Sequence, residues 1–106
     1  MQREFDPVKL MGPANVYFDG KVNSRTFYDN QGQKKTLGFV VAGEYEFSTS
    51  TIEEMELYAG EFELMLPGEN TYRKYVAGDT FTIPCGIHFK VRSQTFADYC
   101  CTYVNE

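Results

Sequence analysis

The sequence predicts an all-β fold, a single domain of short strands arranged as a sandwich or barrel. Three observations lead there. The chain has 106 residues, enough for one domain with one core, and 42% of them are hydrophobic against 24% charged, a globular balance. Aromatic residues make up 16%, as nine Phe and eight Tyr with no Trp, and such side chains favour half-buried pleated surfaces. Turn signals then cut the chain into short runs of β-forming residues, and regular spacing of that kind reads as a sandwich or barrel.

Taken in order, Met1 to Pro13 lacks clear periodicity, and residues 1–15 are assigned to an extended N-terminal arm of the single domain 1–106. Short β-like runs begin at Val16. Asp19-Gly20 and Asp29-Asn30-Gln31-Gly32 are turn signals, with a strand over Val22–Tyr28 between them. Thr36–Thr51 follows, rich in Val, Phe, Tyr and Thr. The next segment is ambiguous. A helix over Ile52 to Leu66 would put Ile52, Met55, Ala59, Phe62 and Leu66 on one face. A strand pair would use Met55, Leu57 and Ala59, turn at Gly60, and continue with Phe62, Leu64 and Leu66. Gly60 costs a helix interior about 1 kcal/mol and suits a turn, but periodicity leaves both open. Loops at Pro67-Gly68-Glu69-Asn70 and Ala77-Gly78-Asp79 precede Thr80–Ile83, which stops at Pro84, and Phe89–Arg92 and Tyr99–Val104 supply the last strands.

A net charge of −5 argues against holding a nucleic-acid backbone, which needs a basic face, yet leaves room for a small anion held by placed cations. The apolar stretches near Leu37–Val41 and Leu64–Leu66 are far too short to cross a bilayer, and nothing near Met1 suits a signal peptide. A soluble cytoplasmic protein is expected. The three Cys show no CxxC or Cys/His ligand spacing, and Cys100 and Cys101 are adjacent, so on a strand they face opposite ways. Reduced, packed thiols are the expectation.

Two stretches resemble the paired motifs of the cupins. Glu53 stands seven positions before Gly60, as the Glu and final Gly of the first cupin motif do, which puts Phe47 and Thr49 at its two His positions. Gly78, Pro84 and Gly86 match the second motif, with Phe89 at the position of its His. The resemblance implies a cupin-type, jelly-roll-like β-barrel. An aromatic ring has no lone pair for a metal, so a barrel without a metal or other cofactor is expected. His88, the single His of the chain, should face away from the interior by strand alternation.

A narrower resemblance covers most of the chain from Gly20 to Val104. Gly20-Lys21-Val22, Gly43-Glu44-Tyr45-Glu46-Phe47-Ser48-Thr49 and Glu53-Glu54-Met55 fall in order and at family-like spacing. So do Leu66-Pro67, Tyr75, Ala77-Gly78, Phe81, Pro84, Phe89 and Tyr99-Cys100-Cys101-Thr102-Tyr103. Together they resemble the pyrimidine/purine nucleoside phosphorylase family of small bacterial cupins. The arm before Tyr17 lies outside the match and looks like an extension. The resemblance implies two strands for the ambiguous segment. It also implies phosphate-dependent cleavage of purine and pyrimidine nucleosides to free base and ribose 1-phosphate, and, by analogy, a homodimer.

On that reading Glu53 is a catalytic candidate, binding ribose hydroxyls or stabilising positive charge on the sugar, and Lys21 is the cation for phosphate. Arg25 and Arg92 are weaker alternatives. Phe47 and Phe89 either stack on a base of any identity or fill the barrel. Tyr45 shares their face, Ser48 and Thr49 offer hydroxyls to phosphate, and Tyr99, Cys101 and Tyr103 line one face of the last strand. Nothing in the sequence supplies a His partner that would make Cys101 a nucleophile. The competing expectation is a non-catalytic cupin that binds a nucleobase or another flat ligand.

Overall fold

The structure, a computed structural model, describes residues 1–104. Its strands are β1 (Lys9–Tyr17), β2 (Val22–Tyr28), β3 (Lys34–Ser48), β4 (Ile52–Met65), β5 (Arg73–Val76), β6 (Thr80–Ile83) and β7 (His88–Val104). They form one seven-stranded sheet in the order β1-β2-β3-β7-β4-β5, with β6 also paired to β4. Every pairing in it is antiparallel.

The three long strands do the folding. β3 shifts register between Val41 and Gly43. β4 shifts between Leu57 and Ala59 and again between Gly60 and Glu63. Extra residues of this kind bend a strand and raise its twist, so each long strand serves two halves of the sheet. The first half holds β1, β2, β6 and one end each of β3, β7 and β4; the second holds their other ends and β5. The halves fold over one another, with the Phe62 ring of one 5.1 Å from the Tyr99 ring of the other. Val22, Val40, Met55, Leu57, Phe62, Leu64, Phe89 and Val91 form the core between them. The sheet rolls as a jelly-roll does but is not closed into a barrel, because β1 and β5 remain its edges among the described residues.

Three expectations change here. The segment Ile52–Met65 is neither a helix nor two strands but one bent strand. Gly60 has φ +79, yet it stays opposite Ala97 of β7, so it makes a bulge and not a turn. Phe89–Arg92 and Tyr99–Val104 are likewise parts of one strand, because β7 runs through the bend. The N-terminal arm is tied to the sheet from Lys9 onward as an edge strand. Its register breaks between Leu10 and Ala14, where Gly12 and Pro13 sit, and Pro is tolerated at such an edge irregularity. Because β1 exposes side chains on both faces, it carries no alternation for sequence reading to find. Before it, the Phe5 ring packs 4.8 Å from that of Phe27, which explains why Phe27 is only 2% exposed.

Candidate active site

Antiparallel register lines up inward-facing side chains in rows across β2, β3, β7 and β4. In the outermost row Tyr28 pairs with Lys34, and Glu53 pairs with both Tyr103 and Ile83. Lys34 joins the two pairs, its Nζ lying 4.8 Å from the centre of the Tyr103 ring. The next row is Thr26, Thr36, Cys101, Met55 and Phe81; the one below is Ser24, Gly38, Tyr99 and Leu57. A β-carbon on Gly38 would lie 2.3 Å from Cζ of Tyr99, so only glycine leaves room for that ring to lie across β3.

These rows wall a cavity of about 460 Å³ between the two half-sheets, within the range of about 300–1,000 Å³ usual for small-molecule sites. Its opposite wall is aromatic. Phe47 and Phe89 lie nearly parallel with centroids 6.2 Å apart. Tyr17 and Phe18, 48% and 45% exposed, stand edge-on to Phe47 at 6.3 and 5.5 Å.

Glu53 is the polar centre. Cys101 Sγ donates to its Oε1 at 3.6 Å. Burial lifts the Glu53 carboxyl above its ordinary 4.5, against the lowering pull of the Cys101 thiol and the Lys34 charge. Burial, and then the negative charge of Glu53, pushes the Cys101 thiol far up. Cys101 is therefore a protonated thiol that donates to the Glu53 carboxylate. Burial raises the phenols of Tyr99 and Tyr103 in the same way, so both keep their hydroxyl protons. Tyr103 shares a 3.3 Å hydrogen bond with Thr36.

Of the residues singled out from the sequence, Phe47, Ser48, Glu53, Phe89, Tyr99, Cys101 and Tyr103 all line this cavity. Three do not. Lys21 is exposed outside it, because it closes the Phe18–Gly20 turn in helical backbone geometry, one residue before β2 begins. Tyr45 faces inward but is only 5% exposed, part of the core, and its hydroxyl donates to the Val41 carbonyl at 3.0 Å. Thr49 holds the loop before β7: its hydroxyl donates to Pro84 O at 2.6 Å and accepts the Ile87 N–H at 3.3 Å. Replacing Thr49 by Val should cost about 1–3 kcal/mol, the penalty of stranding buried polar groups. Chemical denaturation should show a lower midpoint, with nucleoside affinity unchanged.

The weaker candidates also fall away. Arg25 bonds to the Gly12 carbonyl, and Arg92 pairs with Glu63 at 2.8 Å. His88 is exposed and outside the cavity. Lys34, Ser24, Thr36, Glu46, Ser50, Tyr17 and Phe18 line it without having been singled out. Lys34 was within reach: starting β3 two residues earlier puts it on the same face as Thr36.

At the positions where a cupin carries metal ligands, the fit is poor. Phe47 and Phe89 have no lone pair to give, and the Thr49 hydroxyl is spent on the loop. Among the described residues no group of three or more His, Cys, Asp or Glu side chains converges.

Comparison with known proteins sharpens the picture. The family model for pyrimidine/purine nucleoside phosphorylase matches residues 13–103. A protein of that name from Hydrogenovibrio crunogenus is 45% identical over 102 residues, 96% of this chain and 98% of that one. Another from Syntrophotalea carbinolica is 45% identical over 101 residues, 95% and 97% of the two chains. These alignments reach into the first 15 residues, so the N-terminal segment is not an addition relative to them. Among solved structures, a protein of unknown function from Acinetobacter sp. ADP1 superposes with a TM-score of 0.89 at 31% identity, covering 95% of this chain and 98% of its own. An RmlC-like cupin from Shewanella frigidimarina superposes at 0.65 with 15% identity over 96% and 90% of the two chains, a likeness of fold alone.

Proposed function

The chain belongs to the pyrimidine/purine nucleoside phosphorylase family, and on that premise we propose that it cleaves both purine and pyrimidine nucleosides with inorganic phosphate, without a metal or organic cofactor. A phosphate oxygen forms a bond to the anomeric carbon as the bond from that carbon to the base nitrogen breaks. The base leaves with the bonding electrons and takes up a proton that phosphate gives up. The products are free base and α-D-ribose 1-phosphate.

The observation that carries this reading is the pairing, in one cavity, of an aromatic wall with a desolvated carboxylate. Every base has a π-face, so the half-buried Phe47 ring, backed by Phe89, holds purines and pyrimidines alike. As the glycosidic bond lengthens, positive charge grows on the sugar. A carboxylate fixed by Cys101 in a water-poor site meets that charge without reorganising. Phosphate is itself the nucleophile, so no covalent enzyme intermediate is needed.

The test is release of uracil from uridine and adenine from adenosine by chelator-treated protein, with and without phosphate. Release of both bases that needs phosphate and tolerates the chelator is expected. Release without phosphate would make the protein a hydrolase. Bound nucleoside with no release would make it a binding protein. The reading places the enzyme in the cytoplasm as a homodimer, the latter checked by sedimentation velocity.

A further inference from the structure

Beside the main cavity lies a second depression of about 550 Å³. Lys34, Ser50 and Tyr103 line both, so they form the rim the two share. The remaining walls of the second come from the end of β2 and the turns on either side of β3: Tyr28, Gln31, Gln33 and Thr51, with Gly32. The two spaces differ in charge. Glu46 and Glu53 line the main cavity, whereas among the described residues no carboxylate lines the second, although the whole chain carries −5.

The turn itself explains that. Asp29 Oδ1 accepts the N–H groups of Gln31 and Gln33, each at 2.9 Å, and its other oxygen faces Lys35 at 4.0 Å. Asp29 is thereby occupied in shaping the turn and is absent from the wall of the depression. Lys35 is the cation it neutralises. Lys34 makes no ion pair within 4.0 Å among the described residues, and its ammonium rests over the face of the Tyr103 ring.

We propose that inorganic phosphate binds at this rim, its charge met by Lys34 and its oxygens by Ser50 and the polar side chains of the second depression. The arrangement sorts the two substrates. A neutral nucleoside enters the aromatic cavity, where Glu46 and Glu53 repel a free anion. Phosphate settles in the second depression, and Lys34 stands where the two meet. Sequence reading gave the phosphate to Lys21; the register of β3 gives it to Lys34.

This rests on the phosphorylase reading, and two measurements keep the two claims apart. The first is the initial rate of uridine phosphorolysis against phosphate concentration. In Lys34→Met the KM for phosphate should rise roughly 10- to 100-fold, the size of one charge-assisted hydrogen bond. The KM for uridine should move less than about twofold. Lys34→Arg should recover most of the loss, and Lys21→Met should match the wild type. The second is thermal unfolding with increasing inorganic phosphate against chloride of equal ionic strength. Phosphate should raise the melting temperature of the wild type and of Lys21→Met but not of Lys34→Met. Wild-type phosphate KM and phosphate protection in Lys34→Met would overturn the proposal. Should the wild type release no base while phosphate protects it through Lys34, the anion site stands and the phosphorylase reading falls.

Discussion

Replacing Glu53 by Gln is expected to slow phosphorolysis roughly 10²- to 10³-fold, the usual loss when one preorganised electrostatic partner of a transition state is removed. Gln keeps the shape and can still accept from Cys101, but it carries no charge for the sugar cation. Because that charge exists only in the transition state, kcat and kcat/KM should fall together. A raised nucleoside KM at constant kcat would instead assign Glu53 to holding ribose hydroxyls. Unchanged values of both would remove it from the site.

The pH dependence follows from the direction of the Glu53 shift. Burial holds its carboxyl above 4.5, so the acid limb of the kcat/KM profile should lie above that value and disappear in the Gln variant. Stability gives an independent readout. A carboxyl raised on folding is neutral in both states at low pH and costs nothing there. As pH rises past its ordinary value, the unfolded chain ionises first, and the cost of keeping the charge buried appears in full above the folded value. Glu53→Gln should therefore unfold at higher denaturant than the wild type at neutral pH, and the gap should close on acidification. A slower but more stable variant is the expected signature of a functional carboxylate.

Gly60→Ala should destabilise the fold by roughly 2–5 kcal/mol, a large part of what a domain this size has. One contribution is the left-handed φ of +79, which costs a residue with a β-carbon about 1–2 kcal/mol. The other is a clash: that carbon would lie 2.0 Å from the Phe96 carbonyl oxygen. Backbone cannot rotate away as a side chain can, so β4 or β7 must shift, with an overpacking cost of roughly 1–3 kcal/mol. Gly68→Ala is the control, since Gly68 has φ +81 and nothing within 4 Å. It should cost only the conformational share. Urea unfolding compares them. If both variants lose the same stability, the close approach of β4 to β7 is not what requires glycine.

Much of this protein was open to reading before any coordinates. Composition and turn spacing pointed to one all-β domain, and the motif around Glu53 and Gly60 to a cupin without its usual ligands. The ordered match from Gly20 to Val104 pointed to the phosphorylase family. The cupin-motif positions pointed Glu53, Phe47 and Phe89 inward, and strand parity put Tyr45 beside them and Tyr99, Cys101 and Tyr103 on one face, because alternation is a local property of the extended chain. Parity does not say how deep a side chain lies or what stands across from it. Tyr45 and Phe47 share a face, yet one hydroxyl is tied to Val41 in the core and the other ring lines the cavity. Nor does parity show whether a glycine turns the chain or bends it, which at Gly60 depends on β7 continuing alongside. Lys34 lies over Tyr103 and acts on the charge of Glu53 only when β3, β7 and β4 pair in their particular register. Those contacts join residues far apart in sequence, and tertiary folding alone decides them.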